Sequence, residues 1–182
     1  MSWRCILLYY VLSLGLAVYL YGQIRAVPGT GRATEPSDLP FVAAMASRID
    51  SVVIEKQGKR LEIKRQENGR WRILSPSGVD VSSDLIEATV DTLTTSPPIE
   101  HLESDHEGLV AFGLAPPLVS VTLISGKRTV ASVEMGIKNP TKTAVYVKKR
   151  NDESVFLLGL NARYYVDLLF EDIARQETVS HR

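Results

Sequence analysis

The sequence predicts an α+β fold: an N-terminal transmembrane helix, then a domain with a mostly antiparallel β-sheet and two to three helices. Three observations support this prediction. Residues 5–21 form an uncharged apolar run, strand-like segments cluster later in the chain, and few segments show helical spacing of apolar residues. Strands that alternate with helices are typical of a parallel sheet, whereas clustered strands favour an antiparallel one.

The apolar run at residues 5–21 is long enough to cross a membrane. With a rise of about 1.5 Å per residue, a helix of this length just covers a hydrocarbon core of roughly 30 Å. A cleavable signal peptide is the alternative, but no small-residue cleavage site follows closely after Leu20. We therefore expect an uncleaved single-pass anchor in the inner (cytoplasmic) membrane, with the domain facing the periplasm.

Composition divides the chain into four regions. These are the cytoplasmic N-terminus and anchor (1–22), a spacer with several prolines and glycines (23–48), an extracytoplasmic α+β domain (49–174) and a polar tail (175–182). Prolines and glycines interrupt regular structure in the spacer, although its apolar residues 39–45 are compatible with a short helix docked on the domain. Cys5 is the only cysteine, so the domain must be stabilised by a hydrophobic core rather than by disulfides.

The domain begins with the pattern of a three-stranded meander, in which apolar residues alternate with polar ones. The apolar positions are Val52 and Ile54, Leu61 and Ile63, and Trp71 and Ile73. Gly58 and the pair Asn68-Gly69 predict the two turns, because Asn-Gly is favoured in tight hairpins. Five more strands are predicted at residues 99–102, 118–124, 129–135, 144–149 and 155–158.

Three segments have helical patterns. Ser83 is a suitable N-cap for the first helix, and Pro97 ends it. Asp105 is placed to cap a brief second helix, and Gly113 suits a left-handed residue at its end. The third helix is predicted at residues 162–173. The predicted buried positions are Ile86, Val90 and Leu93 in the first helix, and Tyr165, Leu168, Leu169 and Ile173 in the third.

Several landmarks occur in a recognisable order. They are Gly69-Arg70-Trp71-Arg72-Ile73 with Pro76 behind it, the helix at 83–93, Phe112-Gly113-Leu114-Ala115-Pro116-Pro117, Val133-Glu134-Met135-Gly136, Val145-Tyr146-Val147 and the strand at 155–158. This succession, over roughly residues 49–170, resembles the bacterial family catalogued as domain of unknown function 4340. The resemblance implies a membrane-anchored extracytoplasmic protein, similar to auxiliaries associated with gliding motility and ABC-type transporters. It implies no catalytic residues.

Two groups of residues are candidates for metal or acid–base chemistry. The first is Glu100-His101 with His106-Glu107, but a spacing of five between the histidines suits neither one helical face nor a tight strand pair. The second comprises the carboxylates Asp80, Asp84, Glu87 and Asp91, which could serve in calcium binding or acid–base catalysis. We interpret both groups as solvated surface, and we expect no metal, no cofactor and no catalytic residues.

Basic residues gather in two stretches. The first contains Lys56, Lys59, Arg60, Lys64, Arg65, Arg70 and Arg72, and the second contains Lys138, Lys142, Lys148, Lys149 and Arg150. In the first stretch the cations alternate with apolar residues, which predicts the outer face of a sheet. A net charge of zero and an exported domain disfavour nucleic acid as a partner, whereas acidic lipid headgroups or an acidic protein stay open.

Two hypotheses for function follow. The first is a non-enzymatic accessory or assembly subunit of a membrane complex, and the family resemblance points to an ABC-type transporter as that complex. The alternative is a tethered domain that binds an envelope saccharide or lipid. This alternative needs a concave pocket lined by Trp71, Tyr146, Phe156 and either Tyr164 or Tyr165.

Overall fold

A computed structural model describes residues 39–180 of the chain. The predicted anchor at residues 5–21 and most of the predicted spacer lie outside the described residues. Within 39–180, no helix is both long and apolar enough to cross a membrane.

The described residues form eight strands and three α-helices. The strands are β1 (Ser51–Lys56), β2 (Lys59–Arg65), β3 (Trp71–Ser75), β4 (Glu100–Leu102), β5 (Val119–Ser125), β6 (Arg128–Lys138), β7 (Ala144–Lys149) and β8 (Val155–Gly159). The helices are α1 (Ser83–Thr95), α2 (His106–Ala111) and α3 (Asn161–Ser180), and a 3₁₀ helix (Ala46–Arg48) precedes β1. All strands belong to one sheet, in the order β3-β2-β1-β5-β6-β7-β8-β4. Each neighbouring pair is antiparallel, so the predicted α+β class with an antiparallel sheet is confirmed.

The meander β1–β3 follows the predicted alternation. All six apolar positions predicted there are buried, and they share one face because register partners such as Val52 and Ile63 lie opposite each other. The β1–β2 turn is tight, with positive φ at Gln57 and Gly58. The β2–β3 connection is longer than a two-residue turn, and in it only Gly69 has a positive φ.

Helices α1 and α3 pack against each other and cover the apolar face of the sheet. We call this the inner face. The buried residues of α1 include the predicted Ile86, Val90 and Leu93. In α3 the buried residues are Ala162, Val166, Leu169 and Ile173, so the prediction was correct for Leu169 and Ile173, whereas Tyr165 and Leu168 are only half-buried. The helix also continues to Ser180, through most of the segment predicted as a polar tail.

Helix α2 covers part of the opposite, outer face near β6, β7 and β8. As predicted, Asp105 caps it by accepting a hydrogen bond from the Gly108 N–H at 2.9 Å. The Phe112 ring stacks on Tyr146 with centroids 4.2 Å apart. Beneath this helix lie buried residues that are separate from the main core cluster, namely Leu114, Ala144, Val155 and Leu157.

Two local predictions need correction. The N-cap of α1 is Ser82 rather than Ser83, and the Ser83 hydroxyl instead accepts a hydrogen bond from the Trp71 backbone N–H at 2.9 Å. Residues 39–45 dock on the domain as expected, but they do not form the expected short helix. Phe41 and Val42 are buried in the core, and the 3₁₀ helix Ala46–Arg48 begins only after this segment.

Candidate functional site

The residues predicted as possible metal ligands are dispersed. His101 stacks on Phe156 with centroids 4.8 Å apart, while His106 is exposed at the first position of α2. Within residues 39–180, no three His, Cys, Asp or Glu side chains come together in a group that could hold a metal ion.

The four acidic candidates near α1 do not act as one group. Glu87 accepts two hydrogen bonds from one Arg65 nitrogen, at 2.9 and 2.7 Å, and another from the Trp71 indole N–H. The Arg65 guanidinium also lies over the Trp71 ring, 4.6 Å from its centroid. Asp84 and Asp91 are exposed. Glu87 is therefore not simply solvated: it joins α1 to β2 and β3.

A second ion-pair network joins α3 to the sheet. The Asp167 carboxylate accepts hydrogen bonds from Lys56 at 2.7 Å and from Arg163 at 2.9 Å. Arg163 also donates to the Gly136 carbonyl at 3.2 Å. Burial alone would raise the pKa of Asp167, but the hydrogen bonds from both cations hold that pKa below its ordinary value.

These two networks correct the outer-face prediction for Lys56 and Arg65, two members of the first basic stretch. Lys56 and Arg65 point towards the helices on the inner face, because Lys56 follows the parity of Val52 and Ile54 while Arg65 lies opposite buried Trp71. Both side chains are largely covered, with 17% and 21% of their surface exposed. They stabilise helix packing and are not available to a partner.

The aromatic residues of the alternative hypothesis do not line one pocket. Phe156 contacts Phe41 edge to face at 5.3 Å, and Tyr164 contacts Tyr165 at 5.7 Å. The other two lie elsewhere, with Trp71 beside Arg65 and Tyr146 beneath Phe112. The structure therefore places these residues at separate positions in the fold.

Among the described residues, no helix lies over the outer face of β1, β2, β3, β5 and the part of β6 before Gly136, and we call this surface the open face. Most of its charged groups form pairs. Arg60 donates to Glu55 and to Glu62, each at 2.9 Å, and Glu134 pairs with Lys148 at 2.9 Å. These contacts neutralise much of the charge predicted for this surface.

One pair of cations on the open face is not neutralised. Lys64 and Arg72 are exposed register partners on β2 and β3, so their side chains lie next to each other on the same side of the sheet. Neither forms an ion pair with another described residue. Like charges directly opposite each other destabilise a sheet. Leu74, two residues further along β3, leaves 50% of its surface exposed.

The sequence places Lys64 and Arg72 in a basic stretch but does not show that they are adjacent. Their proximity depends on the register of β2 against β3, which is shifted by an irregularity at Glu62 and Ile63. We take Lys64, Arg72 and Leu74, which we call the cationic patch, as the candidate contact site for a partner.

Two grooves border the open face. One of about 730 Å³ runs beside the edge strand β3 and is lined mainly by polar residues, among them Arg70, Asp80 and Ser83. The other, of about 640 Å³, lies near the start of β6 and includes Val42, Val130 and Lys149 in its lining. Neither groove gathers the aromatic residues that a saccharide site would need.

Comparison with known proteins identifies the family. The sequence model of the family described as Domain of unknown function (DUF4340) matches residues 71–180, which extend from β3 through α3. No curated protein and no solved structure matches the chain. The match starts later than the predicted resemblance, so β1 and β2 lie outside it although they pair within the same sheet. Because the match covers more than half of the sequence, the protein belongs to the DUF4340 family.

Proposed function

We propose that this protein is a single-pass protein of the inner membrane whose periplasmic domain is a non-enzymatic accessory or assembly subunit of a membrane complex. The complex that we favour is an ABC-type transporter, as the family resemblance implies. The apolar run at residues 5–21 supports the anchor. The cationic patch is the observation that supports a protein partner.

The cationic patch has the properties of a contact site for acidic side chains. Placing Lys64 opposite Arg72 costs stability, by an amount on the order of 0.2–1 kcal/mol for a cross-strand pair. Carboxylates from a partner would remove this repulsion, and exposed Leu74 would supply apolar area beside them. Charge complementarity of this kind raises the association rate and suppresses wrong partners. Binding through the patch should therefore weaken as ionic strength increases.

Charge reversal tests the proposed contact. The full chain is crosslinked in cells, purified in mild detergent and analysed by mass spectrometry. We expect the wild-type protein to recover permease or ATPase subunits, and Lys64→Glu/Arg72→Glu to lose most of this recovery. The matched control is Lys138→Glu/Lys142→Glu, which makes the same change in charge at two exposed residues near the end of β6 and should leave recovery intact. Recovery of the protein alone, or equal recovery by both variants, would contradict the proposal.

The anchor has a separate test. An arginine at the centre of a transmembrane helix costs about 2.5–3.5 kcal/mol on the insertion scale, so Leu14→Arg should remove much of the protein from the membrane fraction. Leu118→Arg, at a residue with 39% of its surface exposed, is the control and should fractionate normally. Protease added to spheroplasts should digest the domain but spare an N-terminal tag. A protected domain would reverse the proposed orientation.

A further inference from the structure

One end of the sheet combines exposed apolar residues with cations. We call it the entry end, because β1 begins there, and β5 ends and β6 begins there too. Residues 39–48 lie at this end, where Val42 and Val130 line the same groove of about 640 Å³. The exposed fractions are 73% for Leu39, 63% for Met45 and 41% for Val130.

Basic side chains surround these apolar residues. Lys149 and Arg150 line the groove beside Val130, and Lys127 and Arg128 form part of the adjoining β5–β6 turn. All four are exposed. The Lys149 ammonium lies 5.3 Å from the centroid of the Phe41 ring, which holds this cation against the segment that enters the domain.

Three carboxylates near the groove are engaged with other groups, whereas Glu67, in the β2–β3 connection at the same end, is exposed. Asp50 accepts a hydrogen bond from the Gly126 N–H, and Asp152 accepts one from the Ser154 N–H at 2.9 Å. Glu134 pairs with Lys148 and, at 3.3 Å, with Arg150. Glu153 is exposed on the neighbouring loop. The side chains around the groove itself therefore combine apolar surface with positive charge.

Apolar side chains bordered by lysine and arginine fit the interface of a membrane that contains anionic lipids. The apolar groups enter the headgroup region, and the cations are attracted to the negative charge of the lipids. The position of the entry end agrees with this partner. The described residues begin with Leu39, in the segment 39–48 that packs at this end, and residues 22–38 separate it in sequence from the predicted anchor.

We propose that the entry end docks on the anionic surface of the membrane that holds the anchor. Leu39, Met45 and Val130 contact the headgroup region, and Lys149 and Arg150 face lipid phosphates. The docking orients the sheet so that the opposite end points away from the bilayer. This inference rests on the anchor in the proposed function, but it does not depend on the identity of the protein partner.

Strand β6 offers a matched pair of positions for the test. Val130 lies near its start and Ile137 near its end, with similar exposed fractions of 41% and 43%. At about 3.3 Å per residue, the two positions are roughly 20 Å apart along the strand. Probes at the two positions therefore compare lipid contact at the entry end with lipid contact at the opposite end of the sheet.

The experiment uses the full chain with Cys5→Ser, reconstituted in vesicles of phosphatidylcholine with or without phosphatidylglycerol, and flotation of the vesicles shows whether the protein is inserted. A fluorophore is attached at Val130→Cys or at Ile137→Cys, and quenching by lipids that carry a nitroxide is measured. We expect several-fold stronger quenching at position 130 than at 137 when phosphatidylglycerol is present. Lys127→Gln/Lys149→Gln should reduce this difference. Met45→Cys provides a second probe at the entry end in case labelling at position 130 disturbs the strand.

The outcomes separate the docking from the anchor. Equal quenching at positions 130 and 137 in a protein that floats with vesicles would overturn the docking and leave the anchor in place. Failure of the full chain to float would overturn the anchor and the docking together. Strong quenching at position 130 that is unchanged without phosphatidylglycerol would overturn the role of the cations.

Discussion

Replacing Gly136 with alanine should detach α2 from the outer face of the sheet. Gly136 lies in β6 directly beneath the end of this helix. A Cβ atom there would overlap the Phe112 carbonyl oxygen and would come within 3.0 Å of the Phe112 carbonyl carbon and 3.1 Å of the Gly113 carbonyl carbon. All three atoms belong to the backbone, so no change of rotamer relieves the overlap.

The cost can be worked from the contacts that would be lost. The Phe112 carbonyl accepts a hydrogen bond from the Ile137 N–H at 2.9 Å, which contributes about 0.5–1.5 kcal/mol. The stack of Phe112 on Tyr146 contributes about 0.5–1.5 kcal/mol more. If α2 stays in place instead, the strain of overpacking costs about 1–3 kcal/mol. Either way, Gly136→Ala should lower the free energy of unfolding by about 1–3 kcal/mol.

Gly159→Ala is the matched control, because it makes the same substitution in strand β8. A Cβ atom at Gly159 would meet no other atom within 4 Å. Alanine also reduces the backbone entropy of the unfolded chain, which favours the folded state by about 0.4–1 kcal/mol. We therefore expect Gly159→Ala to be neutral or slightly stabilising.

Urea unfolding of the full chain in detergent, followed by circular dichroism, measures both variants. Hydrogen exchange then locates the effect, and we expect faster exchange in His106–Ala111 of the Gly136→Ala protein with little change in β1 and β2. If the two variants have the same unfolding midpoint and the same slope, the argument from backbone overlap is wrong.

Two other predictions concern the ion-pair networks. The folded-state pKa of Asp167 is lowered, so this carboxylate stabilises the fold above the unfolded pKa of about 3.9 and loses that contribution as pH falls through the folded value. The difference in unfolding free energy between wild type and Asp167→Asn should therefore be largest near neutral pH and should shrink in acid. A difference that stays constant with pH would contradict the role given to Asp167. Glu87→Ala removes the acceptor for Arg65, whose buried Nε already lacks a partner, and for the Trp71 indole, so it should cost about 1–3 kcal/mol in urea unfolding. Asp91→Ala, at an exposed residue of the same helix, should change stability by less than about 0.5 kcal/mol, and equal effects of the two changes would refute the role given to Glu87.

The parts of the fold that sequence predicts well are those set by short-range physics. The alternation in β1–β3 reflects one buried and one exposed face, which depends only on neighbouring residues. The Asp105 cap and the positive φ of Gly113 are also local requirements. Each of these predictions concerned how a residue affects its own segment.

The parts that sequence predicts less well depend on which face meets another element. Helix α3 offers two overlapping apolar stripes, and the sheet selects the one that contains Val166 rather than Tyr165 and Leu168. Residues 39–45 have too short a pattern to define a helix, and Phe41 and Val42 are instead buried as part of an irregular segment. In both cases the local sequence favours the two alternative arrangements about equally, and long-range packing decides between them.

The basic residues also combine features that local sequence predicts with features that only long-range contacts reveal, and these features bear on function. The parity of β1 already places Lys56 beside Val52 and Ile54, but it does not reveal Asp167, which is 111 residues away. Without that partner, Lys56 and Arg65 resemble Lys64 and Arg72 in sequence. In the folded chain Lys56 and Arg65 form ion pairs with helices α3 and α1, whereas Lys64 and Arg72 repel each other on the open face. Neutralising Lys56 should therefore lower the free energy of unfolding. Neutralising Arg72 should leave that free energy unchanged or raise it, and it should weaken binding to the proposed partner. Because Lys64 and Arg72 reduce the stability of the isolated domain, they are the cations for which we expect a binding partner.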